Sequence, residues 1–173
     1  MKIKCKLYDG ATLPQIIKKG DWVDLYCPSD VKLNGPHATT LHRKKSVEEN
    51  KRDVVFDSKL IDLNIAMKLP DGFEAVVLPR SSTFKNFGIM LTNSEGVIDN
   101  SYCGNSDTWK FGAIAFRNTI ITKGSRIAQF RIQLSQKATI WQKIKWLFSS
   151  RLKIVQVDNL GNNNRGGIGS TGV

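Results

Sequence analysis

The chain is poor in the residues that most often carry acid–base and metal chemistry. It has two histidines, His37 and His42, both in a polar segment away from its glycine clusters. No HxxxH, no CxxC and no nucleophile elbow occurs, so proton transfer falls to a carboxylate. Cysteine is equally sparse: Cys5, Cys27 and Cys103 are odd in number and lack paired spacing. That argues against a disulfide framework or thiolate metal site and predicts a reducing, cytoplasmic setting. Long apolar runs are missing, and Met1 to Tyr8 alternates Lys with apolar residues, so neither a signal peptide nor a membrane span is expected. Acids are outnumbered, 15 against 26 Lys and Arg, leaving a net charge of +11 and a pI near 9.7. Such a balance favours polyanions, whether DNA or a highly charged nucleotide.

The 173 residues, with 40% hydrophobic and 24% charged side chains, predict a single globular domain over 1–173. Lys2 to Tyr8, Trp22 to Tyr26, Lys59 to Leu69, Phe73 to Leu78, Gly112 to Phe116 and Arg126 to Leu134 carry β-branched or aromatic residues between turn residues and read as strands. Pro70-Asp71-Gly72 is a hairpin-type turn. So many strands at short spacing predict an all-β barrel or sandwich. Two segments interrupt the pattern. Residues 34–53 hold both histidines and few apolar side chains, which predicts a surface insertion. Residues 137–153 carry five Lys/Arg and no acid, with Ile140, Trp141, Ile144, Leu147 and Phe148 at helical spacing. This basic amphipathic stretch reads first as a short element packed on the barrel, and second as a docking surface for a regulatory protein or nucleic acid.

The most informative segment is Gly96-Val97-Ile98-Asp99-Asn100-Ser101-Tyr102-Cys103-Gly104, which sets one carboxylate and one aromatic between glycines. The glycines permit tight turns and close approach of a ligand to the main chain. Upstream stands Pro79-Arg80-Ser81-Ser82, and downstream Arg165-Gly166-Gly167-Ile168-Gly169-Ser170-Thr171-Gly172. Each combines a guanidinium with hydroxyls, the chemistry that holds phosphate oxygens. One carboxylate between two phosphate clamps predicts nucleotide hydrolysis with Asp99 as the base, a turn-capping role being its alternative. Tyr102 reads equally as a ligand-facing ring or a core tyrosine.

In this order the segments resemble the trimeric dUTPase family, over nearly the whole chain and closest to variants of Gram-positive bacteria and prophages. Asp21 to Leu25 is similar to the first motif, Pro79 to Ser82 to the second, and Asn93 to Gly104 to the third. Gly124 to Gln129 and Arg165 to Gly172 are similar to the fourth and fifth. The resemblance implies a jelly-roll-like barrel in a homotrimer, with a flexible C-terminal arm, 161–173, completing a neighbouring subunit's site. It implies hydrolysis of dUTP to dUMP and pyrophosphate, which limits uracil in DNA and supplies dUMP for dTMP synthesis. Asn93, Gly96, Val97 and Ile98 would then read uracil, and Tyr102 would lie under the deoxyribose. Arg80, Ser81, Ser82, Gln129, Arg165, Gly169, Ser170 and Thr171 would hold the triphosphate. Mg²⁺ would be held mostly by phosphate oxygens, with no direct protein ligand and Asp24 supporting it through water.

Two departures stand out. Ile168 occupies the place of an aromatic that covers the uracil, while the lengthened Asn105 to Phe111 segment contains Trp109 and Phe111. These three residues are lid candidates. The alternative enzyme is a dCTP deaminase of related fold, which should carry a glutamate after the hairpin. Gly112 to Asn118 contains no acid. A regulatory or nucleic-acid-binding protein using 137–153 is the non-enzymatic alternative.

Overall fold

The computed structural model describes residues 1–17, 20–38, 54–149 and 151–167. Strand β1 (Lys2–Leu7) alternates exposed lysines with buried Ile3 and Cys5, the two-residue period of a half-buried strand. It is followed by β2 (Gln15–Ile16), β3 (Val23–Tyr26), β4 (Val31–Leu33), β5 (His37–Ala38), β6 (Val54–Val55), β7 (Ser58–Lys68) and β8 (Phe73–Pro79). After helix α1 (Thr83–Phe87) come β9 (Ile89–Leu91), β10 (Gly96–Ile98), β11 (Thr108–Ala115), β12 (Thr119–Ile121) and β13 (Arg126–Leu134). Helix α2 (Ile140–Leu147) and β14 (Lys153–Gln156) close the order.

The strands pair as two five-stranded sheets, β14-β1-β7-β11-β9 and β10-β8-β13-β3-β2, with two-stranded ribbons β12-β4 and β5-β6. The core joins the two large sheets. Ile3, Leu63, Met67 and Phe111 come from the first, and Leu25, Val77, Ile127 and Phe130 from the second. Trp109 of the first sheet packs edge-on against Phe130 of the second at 5.0 Å.

The six strands expected from the sequence all form. The one expected from Gly112 starts earlier, at Thr108, with an irregularity between Thr108 and Lys110. Pro70 to Gly72 makes the expected turn: Phe73 N donates to Pro70 O and Gly72 adopts φ 82°. Residues 34–53 lie mostly outside the described residues, but their base is a ribbon pairing His37 with Val55. Within 137–153 the capping box Thr139/Gln142 starts α2, yet none of its residues is buried and Trp141 is 75% exposed. The element does lie against the β7–β8 turn, with Gln142 beside Gly72, but it leaves Ile140, Trp141, Leu147 and Phe148 exposed among the described residues. Cys5, Cys27 and Cys103 are buried free thiols, and burial pushes Cys5 up to about 12.

Candidate active site

Among the described residues strand β10 is the edge of its sheet and pairs with β8 alone, through Gly96↔Val77, Val97↔Val76 and Ile98↔Ala75. Its outer backbone groups are thus unclaimed by a strand. A tight turn follows, in which Tyr102 N donates to Asp99 O and Ser101 N donates to the Asp99 carboxylate at 2.8 Å. A cleft of about 590 Å³ opens along this hairpin, lined by Asn93, Gly96, Val97, Ile98, Asp99, Tyr102 and Arg165 among others. The volume suits a nucleotide-sized ligand.

Asp99 is the carboxylate of this cleft. It accepts hydrogen bonds from Ser101 Oγ and from the Arg165 guanidinium. Partial burial draws its carboxyl upward, but the Ser101 bonds and the Arg165 charge outweigh that and hold it below the usual carboxylate range. It is therefore an anion at neutral pH. Tyr102 is half-buried against the core, and its hydroxyl donates to Thr108 O at 2.9 Å, which fixes the ring plane. Burial raises its phenol, with Asp107 and Asp62 adding to the shift. Lys110 also lines the cleft and pairs with Asp62, which additionally accepts from Thr108 Oγ1 at 2.7 Å.

Asp107, which the sequence reading passed over, determines where the C-terminal segment lies. It is 1% exposed and accepts from Gly104 N at 2.8 Å, Arg165 N at 2.9 Å and Gly166 N at 3.2 Å. Ser106 N donates to Asn164 Oδ1 at 2.8 Å. A Cβ on Gly104 would sit 2.3 Å from that same oxygen, so only glycine admits the arm here. Of the arm expected over 161–173, residues 164–166 are bonded to this chain's own hairpin. Ile168, Gly169, Ser170 and Thr171 lie outside the described residues, as does His42.

The remaining candidates gather elsewhere. Register places Gln129 of β13 opposite Asp24 of β3 and Leu78 of β8. Buried Asp24 receives Arg80 Nε at 2.9 Å on one oxygen and Arg126 Nη1 at 3.1 Å on the other. Both oxygens are engaged by guanidinium groups, so Asp24 anchors two arginines side by side. Thr83, a buried residue also missed in the sequence, accepts from Arg80 N at 3.1 Å and donates to Ile127 O at 2.9 Å. That locks the Arg80-Ser81-Ser82 turn to β13. None of Arg80, Ser81, Ser82 and Gln129 lines the cleft. Trp109 and Phe111, expected as lid candidates, are 1% and 0% exposed inside the core. Phe111 packs wholly between the sheets, whereas Trp109, packed against Phe130, also lines the wall of the cleft. Asn93 keeps to the cleft rim, its Nδ2 donating to Glu95 O at 2.8 Å.

The family model for dUTPase matches residues 49–146. Along its full length the chain is also 43% identical over 173 residues to the SPbeta prophage-derived deoxyuridine 5′-triphosphate nucleotidohydrolase of Bacillus subtilis, covering 99% of each. The chain belongs to the dUTPase family. A deoxyuridine 5′-triphosphate nucleotidohydrolase of Hydrogenobaculum is 30% identical, over 97% of this chain and 95% of that protein. Solved dUTPase structures share the fold. That of Streptococcus mutans superposes with a TM-score of 0.60 at 16% identity, over 79% of this chain and 98% of its own. A variant of the Staphylococcus aureus phage phi11 dUTPase gives 0.58 at 14% identity, over 80% and 94%.

Proposed function

We propose that the protein hydrolyses dUTP to dUMP and pyrophosphate by in-line attack of water on the α-phosphorus. The observation that carries this reading is the cleft in which the free edge of β10, Asp99, Tyr102 and Arg165 converge. Uracil presents an acceptor–donor–acceptor edge, and the unpaired N–H and C=O groups of Gly96 to Ile98 can match it while the close backbone rejects thymine's methyl. The Tyr102 ring, held by its hydroxyl bond to Thr108, forms a platform for the deoxyribose on which a 2′-hydroxyl would collide. Ionised Asp99 orients and polarises the attacking water. Its pairing with Arg165 gives way when phosphate oxygens compete for the guanidinium, which frees the carboxylate as substrate arrives.

Arg80, Ser81, Ser82 and Gln129 cannot complete this cleft from the same chain as they stand. The reading therefore includes a homotrimer, in which a neighbouring copy brings the Asp24-anchored arginines over the triphosphate. Gly169, Ser170 and Thr171 would add further phosphate contacts. Among the described residues no group of three His, Cys, Asp or Glu could cage a metal, and Asp24 is engaged by arginines. This donor set fits Mg²⁺ carried in on the substrate's phosphates. The phage phi11 relative coordinates a structural Mg(II) ion. Held on the substrate's phosphates, Mg²⁺ would neutralise charge on their oxygens. Among the described residues no helix is long and apolar enough to cross a membrane.

Pyrophosphate release should be measured with dUTP, dCTP, dTTP and UTP in the presence of Mg²⁺. Turnover of dUTP alone is expected, with a loss of about 10²–10⁴-fold in Asp99→Asn and retained nucleotide binding. Near-normal turnover by that variant removes Asp99 from the base role, and release from dCTP or UTP at a comparable rate removes the proposed base and sugar selection.

A further inference from the structure

A second cavity, of about 460 Å³, opens between α2, β1 and the β7–β8 turn, and shares no lining residue with the cleft. Its wall brings together Lys2, Lys4, Lys68 and Lys145, against a single carboxylate, Asp71. Their placement follows from register. Lys4 of β1 sits directly opposite Lys68 of β7, and Lys2 is paired with Lys153 of β14. Like charges directly opposite one another destabilise a sheet, and among the described residues none of these lysines is in an ion pair. The one side-chain partner of Lys68 among them is the neutral Asn162 Oδ1, at 2.9 Å.

All four lysines line one concavity, whose wall also includes Leu69, Pro70 and Phe73. A concave wall of one sign focuses field and concentrates counter-ions, and the volume lies in the range of small-molecule sites. We propose that this cavity binds a small polyphosphate-bearing anion, with its phosphate oxygens on Lys2, Lys4, Lys68 and Lys145. A compact cavity favours such a ligand over a nucleic-acid strand, which would need an extended track.

The test is calorimetric titration of inorganic tripolyphosphate and of dTTP at low salt into three proteins. They are the parent, the double variant Lys4→Glu/Lys145→Glu, and Arg80→Ala, whose substitution lies in the arginine cluster assigned to substrate phosphate. Each lysine contact removed should weaken binding roughly tenfold or more, so the double variant loses roughly a hundredfold. Arg80→Ala should leave this event intact, which separates it from any binding at the dUTP cleft. Retained dUTP turnover shows that the double variant is folded, and Lys4→Gln serves where charge reversal prevents folding. Binding of both ligands means that the phosphate chain suffices. Binding of dTTP alone means that the apolar wall contacts the nucleoside. Binding unchanged by the lysine substitutions, abolished by Arg80→Ala, or seen only with a DNA oligonucleotide overturns the proposal.

Discussion

Asp107 offers the sharpest test of how the site is assembled. Its carboxylate gathers three backbone N–H groups, of Gly104, Arg165 and Gly166, while being 1% exposed. Asparagine keeps the shape but turns one acceptor into an NH₂ donor that faces these N–H groups. At least one charge-assisted bond is lost, worth about 1.5–3 kcal/mol. Through RT ln K that raises the population of the undocked arm roughly 10- to 150-fold. The global melting temperature should move little, because residues 161–167 contribute little to the core. Amide hydrogen exchange at Arg165 and Gly166 reads the local change, and kcat/KM for dUTP reads its consequence, since Arg165 reaches the cleft only from the docked arm. Both should change together in Asp107→Asn, and more strongly in Asp107→Ala. If protection at Arg165 and Gly166 is unaltered in either variant, Asp107 does not hold the arm and the reasoning fails.

Depression of the Asp99 carboxyl places its ionised form above a pKa lower than ordinary, so turnover is expected to persist through the usual carboxylate range and to fall only as pH drops through that depressed value. Ser101→Ala removes a lowering hydrogen bond and should shift the acid limb of the pH–kcat/KM profile upward; an unmoved limb rejects the assigned cause. Phe111→Ala empties a fully buried site and should cost about 3–5 kcal/mol of stability, whereas a variant that melts normally but binds a non-hydrolysable dUTP analogue weakly would restore the lid role. Sedimentation equilibrium should report a trimer, and mixing Asp99→Asn with Arg80→Ala chains should regenerate active shared sites. A fully active monomer would refute the shared-site arrangement.

The strand pattern was legible because its signal is local. Alternation along Lys2 to Leu7 and the apolar density of β7, β8 and β13 each follow from a few consecutive side chains. The hairpin at Gly96 to Gly104 was legible for the same reason, and its residues Asp99 and Tyr102 share one cleft with Asn93 just before it. Arg165 stood out in the sequence as a phosphate candidate, but its pairing with Asp99 did not.

What the sequence by itself determined is the order of strands and turns, the candidate carboxylate and the membership of a family carried by five short segments. Tertiary structure alone decided that Asp24 anchors Arg80 and Arg126, that Asp107 captures an arm 58 residues away, and that Trp109 and Phe111 belong to the core. An acid's role is set by which donors surround it once burial has removed water, and those donors come from distant strands brought into register. The two aromatics show the same dependence. Strand alternation puts both on one face of β11, but only the sheet packed opposite made that face the interior.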